Sequence, residues 1–556
     1  MRTFVLALMG AVVLAILATT PPGPRGSAAP ADAFSASRAM EHVRRIADRP
    51  HVTGSAENAA VRGYIAERMQ ALGMEVTTRD APLSDRGRER LIRWSGMPPE
   101  AAPRTLTNVI GILPGRDRSL PAVMLMAHHD TVWGSPGASD DTAGVAASLE
   151  VVRAIAAKGP PPRDLIVLVT DAEELGLEGA EHFFAADPLR SRVGAIINME
   201  ARGGGGRTSL FQTSRGNGAA VQLYAGAVSR PAASSLAAYV YSVLPNDTDL
   251  TPAIAGPYTA YNFAFIGRPG LYHSPLATPD RLDQGSLQDM GGQVLDLTGA
   301  LLSVPILPDK APDAVFFDLF GLTTVIFPVW LGWLMLVQAG LLLAMVIRRD
   351  GRGGLVEGAA RMLGLLLIGG GLLYLFNQLS LGFARGEYYD RLAAIPRLEG
   401  MALLIGGAVF LAMFGARKGT PVLTAGAALP LWLLALVAQV LAPTAAYVLT
   451  LPLLLVGAVL WRPGAVQAGA TAAVVTGYML ALGHQLMQGV GPTLPMAAAL
   501  PLALGVLALL PVWPGIEKRR AGILAALLLT SAAAVALWVQ LDAPAETRAV
   551  YADSKR

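Results

Sequence analysis

Fifteen residues, AHHDTVWGSPGASDD at 127–141, hold two histidines and three acids in a chain of 556 residues with seven histidines and no cysteine. Without thiols, disulfides and thiolate metal sites are excluded, so any metal must be held by His, Asp and Glu. Residues of the same types recur downstream in Asp171-Ala172-Glu173-Glu174, in Asn198-Met199-Glu200 and at His273 in GLYHSP. Each cluster has a plain structural reading when taken alone. A strand-end His is more often hydrogen-bonded than metal-bound, Asp140-Asp141 reads as an N-cap pair, and Glu173-Glu174 as a solvated helix start. Together they supply hard oxygen and borderline nitrogen ligands for one or two Zn²⁺ ions, with a spare glutamate beside a ligand to act as base. The serine-hydrolase elbow GxSxG and the zincin HExxH are both absent from the sequence.

Such residues converge only if elements far apart in sequence end at one place. Apolar, β-rich runs at Ala122–Ala127, Leu165–Thr170 and Val193–Asn198 alternate with helix-like segments between Arg38 and Leu302. That alternation predicts an α/β domain with a buried, mostly parallel sheet. Each run stops where acids or histidines begin, and in open α/β sheets the ligand crevice lies beyond the carboxyl ends of the strands. Asp141–Ala157 reads as a helix of small and aliphatic residues, with Asp140 at its N-terminal side.

The rest of the chain has a different composition. Apolar residues make up 53% of the whole and charged residues only 15%. Crossing the hydrocarbon core takes about 20 apolar residues. Leu319–Ile347, Met362–Ala384, Gly400–Ala416 and Ala521–Leu541 carry no charge and read as one crossing each. Gly419–Trp461, broken by Pro443, and Pro463–Ile516, broken at Gly489–Pro492, read as two each, giving a membrane domain of eight helices over 319–541. The cations Arg348-Arg349, Arg417-Lys418, Arg462 and Lys518-Arg519-Arg520 follow alternate crossings, which puts them on the cytoplasmic side and everything before Leu319 on the other. Arg385–Glu399 is then an outer loop. Residues 1–20 read as a signal peptide or signal anchor, 21–35 as a linker, 36–304 as the catalytic domain, 305–318 as a second linker and 542–556 as a tail. His484 is the notable ionisable residue within the apolar runs and is placed at an interface. A net charge of +3, without a basic stripe interleaved with aromatics, argues against a nucleic-acid partner.

The motifs HHD, GASDDTAG, DAEELGLEGA, NMEARG and GLYHS resemble, in order and approximate spacing, the five metal-site motifs of the cocatalytic dizinc aminopeptidase and carboxypeptidase family. The membrane-bound branch, of the endoplasmic-reticulum metallopeptidase and vacuolar membrane protease type, is the most similar. The resemblance implies a three-layer α/β/α metallopeptidase fold. It implies that His128, Asp140 and Glu200 hold one Zn²⁺, that Asp140 bridges to a second held by Glu174 and His273, that Glu173 is the general base, and that Asp130 steadies the site. Many relatives have Asp in place of Glu200, and many carry an Asp where this chain has Ala277. Asn246-Asp247-Thr248-Asp249 resembles another family segment near the pocket.

In such a site two cations about 3.5 to 4 Å apart acidify a bridging water and polarise the scissile carbonyl. The implied activity is exopeptidase hydrolysis of peptide substrates, with Arg202 the candidate for binding a substrate carboxylate. The hydropathy and cation pattern places the protein in a lipid bilayer, as a multi-pass protein of a bacterial inner membrane with its catalytic domain on the periplasmic side. Two other readings are a single-zinc glutaminyl cyclase-like enzyme and a transporter or receptor with a non-catalytic outer binding domain. No feature fixes amino- against carboxypeptidase specificity or the oligomeric state.

Overall fold

The computed structural model describes residues 1–381 and 388–542. Among the described residues the chain divides into an α/β unit, from Thr20 to Ile326, and a helical unit made of Met1–Thr19 and residues 327–542.

Seven strands form the sheet of the α/β unit: β1 Glu75–Pro82, β2 Thr105–Leu113, β3 Ala122–His128, β4 Leu165–Thr170, β5 Val193–Ala201, β6 Gly205–Thr213 and β7 Thr259–Gly267. Their order is β1-β2-β4-β3-β5-β7-β6. The four central strands β4-β3-β5-β7 run parallel, and β1, β2 and β6 pair antiparallel at the edges. Every residue of β3 and β4 is buried, as expected of parallel strands covered on both faces. Alternate residues feed two cores: Val123, Leu125, Ala127, Val167 and Val169 on one face, Met124, Met126, Ile166 and Leu168 on the other. The result is the expected helix/sheet/helix sandwich. β1 is mostly exposed, with polar Thr77, Thr78, Arg79 and Asp80 along the sheet edge.

The helix after β3 spans Thr142–Ala156, and the Asp141 side chain caps it by accepting the Gly144 N–H. A Cβ on Gly144 would lie 2.4 Å from Asp141 Oδ2, so only glycine lets the cap sit so close.

Two expected boundaries differ. Residues 21–35 are not a free linker, because their polar backbone groups are taken up by the α/β unit. Arg25 N–H donates to Gln288 Oε1 (2.9 Å), and Arg38 donates to the carbonyls of Ser27 (2.7 Å), Ala29 (2.9 Å) and Ala33 (2.7 Å). A proline-rich segment has few ladder partners of its own, so side chains satisfy it instead. The linker expected at 305–318 and the crossing expected from Leu319 give way to a hairpin, β8 Ala314–Asp318 and β9 Thr324–Pro328, and the helix begins only at Trp330. Asp318 Oδ2 accepts the Gly321 N–H (2.8 Å), and Phe320 and Gly321 take positive φ (54° and 74°), which closes the turn. The Thr-Val-Ile-Phe run is uncharged, but its β-branched residues favour a strand.

In the helical unit the described residues after Phe327 include eight longer helices: Trp330–Asp350, Leu355–Leu381, Ile395–Phe414, Pro421–Leu441, Tyr447–Trp461, Ala465–Val490, Pro495–Val512 and Lys518–Leu541. All but Tyr447–Trp461, at 15 residues, are long and apolar enough to cross a membrane, and so is Arg2–Thr19. Arg2–Thr19 packs on Ala465–Val490 through small residues; a Cβ on Gly477 would lie 2.9 Å from the Ala11 carbonyl. The expected outer loop at 385–399 is partly helical. Its residues 385–387 lie outside the described part, Tyr388–Ala393 is a short helix, and Glu399 sits inside Ile395–Phe414. There it accepts from His484 Nδ1 (3.1 Å) and Gln488 Nε2 (2.7 Å), so His484 has a carboxylate partner rather than a lone interfacial position.

Candidate metal centre

The carboxyl ends of β3, β4, β5 and β7 deliver the polar residues. His128 is the last residue of β3, and Glu200 is the penultimate residue of β5. Glu173 and Glu174 follow β4 in a turn that passes through Ala172 at positive φ (62°). His273, also at positive φ (54°), follows β7. Left-handed backbone at non-glycine residues is uncommon and concentrates at functional sites.

His128, Asp140 and Glu200 each offer a ligand atom, and these atoms lie within 4.8 Å of one another. Asp140, Glu174 and His273 form a second such group, so Asp140 belongs to both. Asp140 Oδ1 is 3.2 Å from His128 Nε2, and Oδ2 is 3.0 Å from His273 Nε2. Glu200 Oε2 stands 3.8 Å from His128 Nε2, and Glu174 Oε1 stands 3.1 Å from His273 Nε2. His128 Nδ1 is bonded to the Asp130 carbonyl (3.0 Å), which turns Nε2 toward the cluster. Asp130 lies behind this ring. Its carboxylate accepts the backbone N–H of Glu173 (3.0 Å) and of Glu174 (3.2 Å), tying the β4 turn to the end of β3.

Glu173 is in neither group; its Oε2 lies 4.0 Å from His128 Nε2 and its side chain is 14% exposed. His129 points away, bonded to Asn58 Nδ2 (3.1 Å) and the Thr107 carbonyl (3.1 Å). Asp171 is structural, accepting from Thr53 Oγ1 (3.0 Å) and Thr107 N–H (2.9 Å). Ala277, where many relatives carry an acid, offers its carbonyl to the Ala138 N–H (2.9 Å). Arg202 is half-buried, with its guanidinium carbon 6.0 Å from the Tyr272 ring centroid. Sequence reasoning left Asp249 undecided. It is fully buried, receives the Thr170 hydroxyl, and acts electrostatically on Glu173 and Glu200. Its acidic NDTD segment was the only signal, because its partner Thr170 is 79 residues away.

Burial dominates the electrostatics. It holds Glu173 well above the carboxylate range, raises Glu174, and takes Glu200 to about 8 and Asp249 to about 6. Burial also acts to raise Asp140, but hydrogen bonds from His128 and His273 outweigh it and bring that carboxyl to about 2. His128 is raised well above its ordinary value, its bonds to Asp130 and Asp140 overcoming desolvation. Without a cation the cluster is short of positive charge. The buried oxygens Asp140 Oδ2 and Glu174 Oε1 both face His273 Nε2, at 3.0 and 3.1 Å, in the place shared by the second group. Nitrogen and oxygen donors with no sulfur suit Zn²⁺, so the residues fit the metal.

A stability signature follows. Glu200, ordinarily at 4.5 but at about 8 when folded, binds a proton only in the folded state between those values, so its contribution is lost as pH rises. His128 is raised too and acts in the same direction above 6.5. His51, which burial takes to about 4, has the opposite effect but only below 6.5. Thermal unfolding of chelator-treated protein should therefore show Tm falling from pH 6.5 to 8. Added zinc, which needs deprotonated ligands, should raise Tm more at the higher pH. A Tm that climbs with pH in the metal-free protein would contradict this.

Residues 108–298 match the sequence profile of Peptidase family M28. This stretch is an M28 domain. It contains all the residues of both ligand groups. Endoplasmic reticulum metallopeptidase 1 of Mus musculus is 31% identical over 310 residues, covering 53% of this chain and 34% of that protein. The vacuolar membrane protease of Eremothecium gossypii is 30% identical over 291 residues, covering 50% of this chain and 28% of that one. The chain thus spans about a third of the length of the curated relatives it matches. Among solved structures, the aminopeptidase from Aneurinibacillus sp. strain AM-1 is similar at 16% identity and a TM-score of 0.38, over 50% of this chain and 97% of that one.

Proposed function

We propose that the M28 domain is a zinc-dependent exopeptidase, anchored in a bilayer by the helical unit, with two ions per site. The carrying observation is that one carboxylate, Asp140, belongs to both ligand groups. His128, Asp140 and Glu200 would hold one ion and Asp140, Glu174 and His273 the other. When bound, two zinc ions supply Lewis acidity that acidifies water and polarises a scissile carbonyl. Glu173, outside both groups, takes the water's proton on its carboxylate and passes it to the leaving amine. Asp130 holds the His128 ring and the Glu173-Glu174 backbone in register.

The anchor reading rests on the seven long apolar helices after Phe327 together with Arg2–Thr19. Arg348, Arg349, Arg417, Lys418, Arg462 and Lys518 at alternate helix junctions support a cytoplasmic side for those junctions. The M28 domain is then on the opposite face, which in a bacterial inner membrane is periplasmic.

Metal analysis of the purified chain tests the core of this reading. The expected result is two zinc ions per chain and peptide hydrolysis that chelator removes and zinc restores. One zinc per chain, with cyclisation of N-terminal glutamine in place of hydrolysis, would favour the cyclase alternative.

A further inference from the structure

The metal cluster leaves open which end of a peptide the site engages, and Arg202 bears on this. Its backbone N–H bonds to the Phe265 carbonyl (3.0 Å), so β5–β7 pairing runs on past Ala201 and side-chain alternation holds through residue 202. Met199 and Ala201 point into the hydrophobic core, so Glu200 and Arg202 share the other face. The Arg202 guanidinium stands over Tyr272, whose ring stacks on the His273 imidazole at 3.6 Å between centroids and 24° between planes. Arg202, Tyr272 and His273 therefore form a short stack leading from the second ligand group to a half-buried cation. The charged groups that act most strongly on the cluster residues are all carboxylates and imidazoles. Bound zinc would offset that charge, so a substrate carboxylate lying beyond the metals would still need a cation of its own. A stacked guanidinium keeps its fork of donors in place, the geometry that binds a carboxylate through two bonds. The steps of the stack, 3.6 Å from His273 to Tyr272 and 6.0 Å on to Arg202, reach over two to three extended residues at roughly 3.5 Å each.

We propose that Arg202 receives the free C-terminal carboxylate of the substrate, making short peptides with an unblocked C-terminus the preferred substrate class. This rests on the zinc-peptidase reading above and adds the substrate to it.

The test compares di- and tripeptides with their C-terminal amides in the whole, zinc-loaded protein. Wild type should cleave the acid with a kcat/KM about 10- to 100-fold above that of the amide, the range of a hydrogen bond to a charged group. Arg202→Met should bring this ratio close to one, mainly by raising KM for the acid, and Arg202→Lys, a point charge without the fork, should restore part of it. Zinc content and Tm of both variants identify any loss of fold. A wild-type preference for the amide, or an Arg202→Met loss equal on both substrates, overturns the inference while the zinc-peptidase reading stands. Absence of zinc-dependent cleavage of either substrate overturns both.

Discussion

Glu173→Gln should keep its zinc and lose turnover by about 10²- to 10⁴-fold, the usual contribution of a positioned general acid–base. The amide has nearly the same shape, so the Asp130 carboxylate still receives the backbone N–H groups of residues 173 and 174. Neither ligand group loses a donor, because Glu173 belongs to neither. What goes is the ability to take a proton from water. The substitution also removes a carboxylate that burial and the charges of Glu200 and Glu174 disfavour, so thermal stability of the metal-free protein should hold or rise. Steady-state kinetics with zinc analysis on the same sample decide the matter. Turnover within tenfold of wild type, or loss of zinc, would remove Glu173 from the base role.

Asp140→Ala has the opposite profile, with metal and activity disappearing together. Its two carboxylate oxygens face different imidazoles, Oδ1 toward His128 and Oδ2 toward His273. Removing them leaves each group with two protein ligands, too few for a stable zinc site. Zinc should drop well below one ion per chain and hydrolysis to background. Glu200→Ala, which strips one group only, should retain close to one ion. The contrast separates a shared ligand from an ordinary one. Asp140→Asn, which preserves the side-chain volume beside the Asp141 cap, controls for local misfolding. Two ions bound in Asp140→Ala would refute the sharing.

The candidate site is legible in the sequence because strand ends mark most of its residues. His128, Glu173, Glu174 and Glu200 lie at or just after the end of a parallel strand, Asp140 sits just before the helix that follows β3, and those strands are nearly continuous apolar runs in the sequence. Asp141 is legible as a cap because a helix of small and aliphatic residues follows it. What could not be read depends on pairings across long separations. The Thr170–Asp249 bond and the Glu399–His484 pair span 79 and 85 residues, with no spacing pattern to announce them. The hairpin at Ala314–Pro328 was hidden for another reason. Its apolar, uncharged residues satisfy a hydropathy criterion for a membrane helix, while their β-branched side chains and the Asp318–Gly321 turn select a strand pair. The docking of residues 21–35 depends on Arg38 and Gln288, whose reach toward that segment exists only in the folded chain.

The strand order bears on how the protein comes to be made. β4-β3-β5-β7 are parallel neighbours, so each pairing must close a crossover of many residues before any of its hydrogen bonds is gained. Topologies dominated by such non-local contacts fold slowly. The first ligand group needs only the β3–β5 pairing, whereas the second draws on the chain after β3, β4 and β7 and is complete only when β7 has joined the sheet. The two groups thus differ in what they require of the sheet: one is complete with a single pair of neighbouring strands, the other only with strands from both sides of that pair.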